Sequence, residues 1–365
     1  AAKCAEVFNG PFFDPYGCQW CAVCLPIPLP DFRGCIIKSP QSPITEDYLG
    51  IMNAIKADVI LPDYRLLVDG KNSTGIQDCM KACISSDAIN VDSLRRAGYS
   101  VIPYTINDKE DMRQIIALGV DGIITDRPDL LLEVLAEEGV DPDGFDVQGH
   151  RGCRGLRPEN SLPAFKRAME LGVTTLELDT GVTRDGVVVV SHNSRVSSKT
   201  SRRVDGMPYR IEDEVLIKDL TFTQLQSQFI CDKNPNQARF PDQTAPEKNP
   251  LDYRMPSLQE VIDLANSMDP NVCFNIEIKI FPYAPDETVD PETFVRAVLN
   301  VIRANGIEDR TVIQSFDFRI LRIVHEIAPE IKTGALFGYY GGCPPIYNHH
   351  CFGGYGGCPP IYYQH

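Results

Sequence analysis

Short runs of β-branched and apolar residues alternate along this chain with longer segments whose apolar positions recur every three or four residues. That is the pattern of strands alternating with amphipathic helices. Residues 147–150, 174–179, 187–192, 272–280, 311–316 and 332–337 read as strands, and so do 58–62, 100–106 and 122–125 nearer the start. The helices between them carry their own punctuation. One runs from about Ser161 to Leu171 and closes at Gly172; another opens at Asp290 and Pro291, turns Phe294, Val298, Val301 and Ile302 to one side, and stops at Gly306. Proline fits the first turn and glycine the residue past the last. Asn107 or Asp108 caps a helix whose stripe of Met112, Ile115, Ile116 and Leu118 predicts a core face, and 130–136 predicts one more helix. Such alternation with short loops predicts a parallel sheet with helices outside it. Closed on itself this is an α/β fold of the TIM type, a (β/α)8 barrel, for which nine strand candidates compete for eight places. Residues 200–256 interrupt the rhythm as a polar, proline-bearing insertion.

Composition narrows the class. The chain has 365 residues, 43% of them hydrophobic and 23% charged, enough apolar surface for a core. A formal net charge of −15 argues against nucleic acid as a partner, since phosphate binding needs a basic face. No apolar run is long enough to predict a transmembrane segment, and nothing in the sequence fixes an oligomeric state. Thirteen cysteines are unevenly spread. Cys4, Cys18, Cys21, Cys24 and Cys35 crowd the first 56 residues, and Cys343, Cys351 and Cys358 crowd the Gly/Tyr-rich repeat at 338–365. Cysteines clustered in irregular Pro/Gly-rich segments predict disulfides and an extracellular or periplasmic setting, with a cytoplasmic one left open.

Four stretches carry chemistry: Gly149-His150-Arg151-Gly152 with Pro158-Glu159-Asn160 behind it, Glu177-Leu178-Asp179, Ser191-His192-Asn193, and Glu277-Ile278-Lys279. Carboxylates at i and i+2 on a strand point to one face. Each stretch follows or ends a strand candidate, and in a parallel barrel those ends open on one mouth. Glu177, Asp179 and Glu277 are hard oxygen donors that suit a divalent cation such as Mg²⁺ or Ca²⁺ rather than zinc. His150 and His192 suit proton transfer. Arg151 and Lys279 suit a phosphate, although Arg151 could instead pair with Glu159 and Lys279 with Glu277. Metal, proton carriers and phosphate clamp together point to phosphodiester cleavage.

In order and spacing these motifs resemble the glycerophosphodiester phosphodiesterase family. Residues 149–192 are similar to that family's N-terminal half nearly throughout, and Gly98–Leu132 resembles its C-terminal end. The likeness spans about residues 57–337, apart from about 68–88. Because the closing part precedes the opening part, the resemblance implies a circularly permuted barrel. Residues 57–136 would then be the C-terminal part, 137–148 the joining linker and 149–337 the N-terminal part. The Cys/Pro-rich segment 1–56 and the repeat tail 338–365 would lie outside it. The resemblance implies hydrolysis of a small-molecule glycerophosphodiester to glycerol 3-phosphate and an alcohol. Glu177, Asp179 and Glu277 would hold the cation, and the substrate's own glycerol hydroxyl could attack through a cyclic phosphate. Which histidine is acid and which is base stays open. Asn193 departs from the aspartate usual after the second histidine, which leaves His192 without a charged neighbour there. Two rivals share the sequence: a phospholipase-D-like lyase that stops at the cyclic phosphate, and a non-catalytic barrel that displays the repeat tail as a binding module.

Overall fold

The computed structural model describes residues 44–68, 88–244, 250–282 and 284–338, together with two short backbone strands at Val23–Cys24 and Cys35–Ile36. Along the chain the elements are helix α1 (Ile44–Ile55), β1 (Val59–Pro62), α2 (Val91–Arg96), β2 (Ser100–Val101), α3 (Lys109–Ala117), β3 (Gly122–Thr125), α4 (Pro128–Glu138) and β4 (Asp146–Gly149). There follow α5 (Leu162–Leu171), β5 (Thr175–Val182), β6 (Val188–Val190), β7 (Ser201–Arg203), α6 (Phe222–Gln228), β8 (Phe229–Cys231), α7 (Leu258–Met268), β9 (Cys273–Ile278), α8 (Pro291–Asn305), β10 (Thr311–Ser315), α9 (Phe318–Ile327) and β11 (Lys332–Phe337).

Eight strands pair in parallel around a ring: β1, β2, β3, β4, β5, β9, β10 and β11. The last returns to the first through Gly334 opposite Val59. Between β2 and β3 the contact is made by single bonds, Asp121 N–H to the Val101 carbonyl (2.9 Å) and Ile124 N–H to the Pro103 carbonyl (3.0 Å). The result is the expected (β/α)8 barrel. The ninth candidate is β6, which pairs antiparallel with the outer end of β5 as a hairpin. An apolar run such as Val187–Val190 serves a hairpin and a barrel strand equally well, so periodicity alone could not separate them.

The punctuation of the helices is as read. Ser161 and Asp290 cap α5 and α8 through their side chains, and Gly172 and Gly306 close them in the left-handed conformation. Asp108 caps α3, but in its stripe only Met112 and Ile115 are fully buried and Leu118 is 40% exposed. The expected core face is therefore narrower than its four members. The assignment of residues 1–56 to a Cys/Pro-rich segment also needs correction. Its last dozen residues form α1, whose Ile51, Met52 and Ile55 are buried and whose Tyr48 meets the Phe337 ring edge-on at 4.8 Å. The connector expected at 137–148 is shorter as well, because α4 reaches Glu138 and β4 begins at Asp146.

The barrel interior has two unlike halves. Val59, Leu61, Ile102, Ile124 and Leu336 form an apolar cluster on one side. On the other, β4, β5, β9 and β10 contribute Gln148, Glu177, Asn275, Glu277 and Gln314, all buried. Buried polar groups on this scale persist only when they satisfy one another. Asn275 accordingly donates to Gln148 (2.7 Å) and Gln314 (3.1 Å). Among the described residues no helix is long and apolar enough to cross a membrane.

Candidate active site

The carboxylates face each other because of strand register. Asp179 on β5 lies directly opposite Glu277 on β9, and Glu177 lies opposite Asn275. Alternation sends Leu176, Leu178, Ile276 and Ile278 outward to the helices, which leaves the acids inward. One oxygen from each of Glu177, Asp179 and Glu277 lies within 4.8 Å of the others, and all three residues are buried. The Glu177–Asp179 pair sits in mid-strand, since β5 runs on into the hairpin with β6. That hairpin delivers His192: the chain returns along β6, Ser191 N–H donates to the Asp179 carbonyl (3.0 Å), and the imidazole follows. The second histidine thus reaches the mouth from an antiparallel hairpin strand and not from a barrel strand as expected.

His150 and Arg151 lie in the tight turn after β4. A Cβ on Gly149 would stand 2.1 Å from the Gly152 carbonyl oxygen, so only glycine fits there. Arg151 holds φ at +51°, an uncommon conformation for a residue with a side chain. This turn aims the Arg151 N–H at Glu177 Oε2 (2.9 Å). The Arg151 guanidinium lies 2.8 Å from Glu159 Oε1 and 3.2 Å from Asp179 Oδ2. Lys279 Nζ stands 3.8 Å from Glu277 Oε1 and touches His192 Nε2. Both cations therefore make the ion pairs weighed as alternatives while standing beside the acidic cluster.

Gln314 and Asp126 escaped the sequence reading, and Asn160, quoted there only as part of a motif, gains a role. Gln314 donates to Glu177 Oε1 (2.6 Å), and Asn160 donates to Asp179 Oδ2 (2.9 Å). Asp126, just beyond β3, holds His150 Nδ1 at 2.5 Å and receives Arg154 (2.9 and 3.1 Å) and Asn107 (2.8 Å). A lone aspartate after an apolar strand was the only signal for it. His150 thus donates its Nδ1–H to a carboxylate, while His192 Nδ1 lies 2.9 Å from the neutral Asn193 Oδ1. In both rings Nε2 is turned to the site, that of His192 against the Lys279 ammonium.

Electrostatics sharpen this picture. Burial raises Glu177 well above the usual carboxylate range, with Asp179's charge adding to it. Burial pushes Glu277 up to about 8, with Lys279 opposing and Asp179 reinforcing. Asp179 goes the other way: burial works to raise it, but Arg151, then His192 and Lys279, outweigh burial and hold it well below its usual range. His150 is lowered to about 4, chiefly by burial and then by Arg154, with Asp126 pulling the other way. Burial, Arg151 and Lys279 hold His192 well below its usual range. Both imidazoles are therefore neutral near pH 7.

A closed parallel barrel with a carboxylate cluster, two neutral histidines and two cations at one mouth defines an acidic-site (β/α)8 protein. The sequence model of the Glycerophosphoryl diester phosphodiesterase family matches residues 52–130 and 150–340, and the chain belongs to that family. It is similar to a glycerophosphodiester phosphodiesterase of Caldanaerobacter subterraneus, with 32% identity over 195 residues that cover 52% of this chain and 66% of the relative. It is also similar to a Rattus norvegicus protein named Lysophospholipase D GDPD1, with 31% identity over 36% of this chain and 35% of that one. A solved structure described as a putative glycerophosphoryl diester phosphodiesterase, from Silicibacter pomeroyi, is 30% identical. The match covers 51% of this chain and 62% of that one, with a TM-score of 0.44. The matched stretches span less than two thirds of each of these relatives.

Proposed function

We propose that the chain hydrolyses glycerophosphodiesters to glycerol 3-phosphate and an alcohol, with Mg²⁺ or Ca²⁺ held by Glu177, Asp179 and Glu277. The observation that carries this reading is the triad of buried carboxylates within 4.8 Å of one another. A cation suits the site, because Glu277 Oε1 is buried without a hydrogen-bond partner among the described residues and three crowded acids need positive charge between them. When bound, such an ion would polarise the phosphoryl oxygens and acidify a nearby hydroxyl.

The chain's own groups do the rest. Lys279, whose side chain is 17% exposed, can turn its ammonium toward a phosphodiester; Arg151, 4% exposed, adds positive potential while holding Glu159 and Asp179 in place. His150 and His192 take a proton from the attacking glycerol hydroxyl and return one to the departing alkoxide, and the same pair then passes a proton from a water to the ring oxygen as that water opens the cyclic phosphate to glycerol 3-phosphate. Asp126 and Asn193 fix the ring orientations that make this exchange possible. The carboxylate behind His150 stabilises an imidazolium there, and the amide behind His192 does not.

Product analysis on a set of glycerophosphodiesters, with and without chelator, tests the reading. Glycerol 3-phosphate should appear with Mg²⁺ or Ca²⁺ and vanish in excess EDTA. Full turnover in chelator would sink the metal assignment, and a cyclic phosphate as the end product would make the chain a lyase.

A further inference from the structure

The polar half of the barrel interior has hydrogen bonds that run in one order. Gln148 on β4, Asn275 on β9 and Gln314 on β10 are each at most 2% exposed. Asn275 Nδ2 donates to both neighbouring glutamines, at 2.7 Å to Gln148 Oε1 and 3.1 Å to Gln314 Oε1. Each glutamine thereby turns its own Nε2 away from Asn275 and toward a carboxylate. Gln314 donates to Glu177 Oε1 at 2.6 Å, and Gln148 donates to Asp146 Oδ2 at 2.7 Å. Two acids and three amides form one line, with a double donor at its centre.

The order follows from what each group can do. A carboxylate only accepts, whereas an amide has a donating end and an accepting end. Turning Asn275 over would set its carbonyl between the glutamines and draw both Nε2 groups inward. One amide oxygen would then press against Glu177 and another against Asp146. The orientation present instead leaves Asn275 Oδ1 buried with no hydrogen-bond partner among the described residues. That orphan acceptor costs free energy, and what it secures is a donor set against one acid of the cluster. Asp146 is anchored in turn by the hydroxyls of Thr174 (2.8 Å) and Thr175 (2.7 Å). Glu177 Oε2 receives the Arg151 N–H at 2.9 Å, so the carboxylate is held at both oxygens. Both donors are neutral amides, and each oxygen keeps a lone pair for a cation.

On the reading that Glu177, Asp179 and Glu277 hold a divalent cation, we propose that Asn275 is a positioning residue for that site. Acting through Gln314, it fixes the attitude of the Glu177 carboxylate, although its own side-chain hydrogen bonds go to the two glutamines. An arginine or lysine in the place of Gln314 would neutralise Glu177. A neutral amide orients the acid and leaves its charge to the cation.

Two measurements on the full chain test this. The first is calorimetric titration of the EDTA-stripped protein with Mg²⁺ and with Ca²⁺. Gln314→Met should weaken binding about 10- to 100-fold, the usual reach of a partner behind a metal ligand, and Asn275→Leu at least about fivefold. Gln148→Met, which leaves the bond from Asn275 to Gln314 in place, should change it less than about twofold. Unchanged affinity in Gln314→Met or Asn275→Leu overturns the proposal, even where the variant is less stable, since the line would then be merely structural. A loss in Gln148→Met as large as that in Asn275→Leu does so too, because it would trace the effect to a disturbed core. The second measurement reads the Gln314 side-chain amide by proton–nitrogen NMR in EDTA and needs no cation. The signal is assigned by its absence in Gln314→Met. One of its protons should lie downfield in the wild type, drawn by Glu177, and should move back upfield in Asn275→Leu. A signal that stays in place in Asn275→Leu overturns the proposal. Asn275→Ser, with one hydroxyl to serve two glutamines, replaces Asn275→Leu in both measurements if that variant does not fold. A wild type that binds neither cation but shows the downfield proton, and its loss, would condemn the cation reading alone and leave Asn275 as the residue that orients Glu177.

Discussion

At the scale of single residues the two histidines are unequal, and the inequality can be measured. His150 rests on the Asp126 carboxylate at 2.5 Å, whereas His192 rests on the Asn193 amide at 2.9 Å. His150→Ala and His192→Ala should each lower kcat by about 10² or more, and the double variant should lose far less than the product of the two. Asp126→Asn should lower kcat/KM by at least about tenfold and also move the acidic limb of its pH profile to lower pH. The direction follows from Asp126 being the group that opposes the fall of His150 toward about 4. A loss of rate with an unmoved limb would make Asp126 merely structural. The triad has its own pH signature. Unfolded, Glu277 would lose its proton near its ordinary 4.5; folded without a cation, it keeps that proton to about 8. Between those values the native state binds more protons than the unfolded one, so stability falls as pH rises. Above pH 7, where the buried histidines are uncharged folded or unfolded, thermal unfolding in EDTA should therefore drop toward pH 8, and the gap to the Mg²⁺ or Ca²⁺ form should widen. A gap that narrows over that range would count against these three acids as the cation site.

At the scale of elements, most of the barrel was legible in the sequence. Every barrel strand overlaps a stretch that read as a strand, although β4 carries a single β-branched residue, Val147, and Gly172, Gly306, Ser161 and Asp290 marked helix ends where they occur. One element was left unplaced and one was missed, each for a physical reason. β6 is as apolar as a barrel strand because its hairpin is packed on both sides, with Val188 and Val190 in the main core and Val189 in the core of the insertion. α1 was lost among the cysteines and prolines before it, although Ile51, Met52 and Ile55 carry a helical spacing. Asp126 was invisible for a third reason. Its partners His150 and Arg154 lie 24 and 28 residues on, and nothing local announces a contact that only barrel closure makes. The placement of α1 can be tested directly. Met52 is fully buried against the core, so Met52→Ala should cost about 2–5 kcal/mol in chemical denaturation. A loss under about 0.5 kcal/mol, the range of an ordinary surface change, would detach α1 from the barrel.

At the scale of the whole molecule the question is chain order. The barrel begins with a helix and ends with a strand, and it closes where β11 meets β1. α1 therefore packs where the helix following β11 would stand, with Tyr48 against Phe337. The motifs of the site start at Gly149, after β1, β2 and β3 have already been made. We propose that this is a circular permutation, in which α4 and β4 are joined by the connector at 139–145 and the usual break lies at that connector. If so, residues 44–138 and 146–338 are two parts of one closed sheet, and neither part can cover its own strand edges. The seams are extensive: β3 pairs with β4 from Gly122 opposite Asp146 to Thr125 opposite Gly149, and β11 pairs with β1 over four residues. Asp126 from the first part also holds His150 from the second. A protease site placed at 139–145 should therefore be cut without consequence. The nicked protein should elute as a single species, unfold in one cooperative transition and match the intact chain in the diesterase assay, because the connector carries neither a site residue nor a barrel strand. The separated parts should be unfolded or aggregated on their own. Two folded fragments that part on a sizing column would mean that the seams do not hold, and the permuted barrel would have to give way to two independent domains.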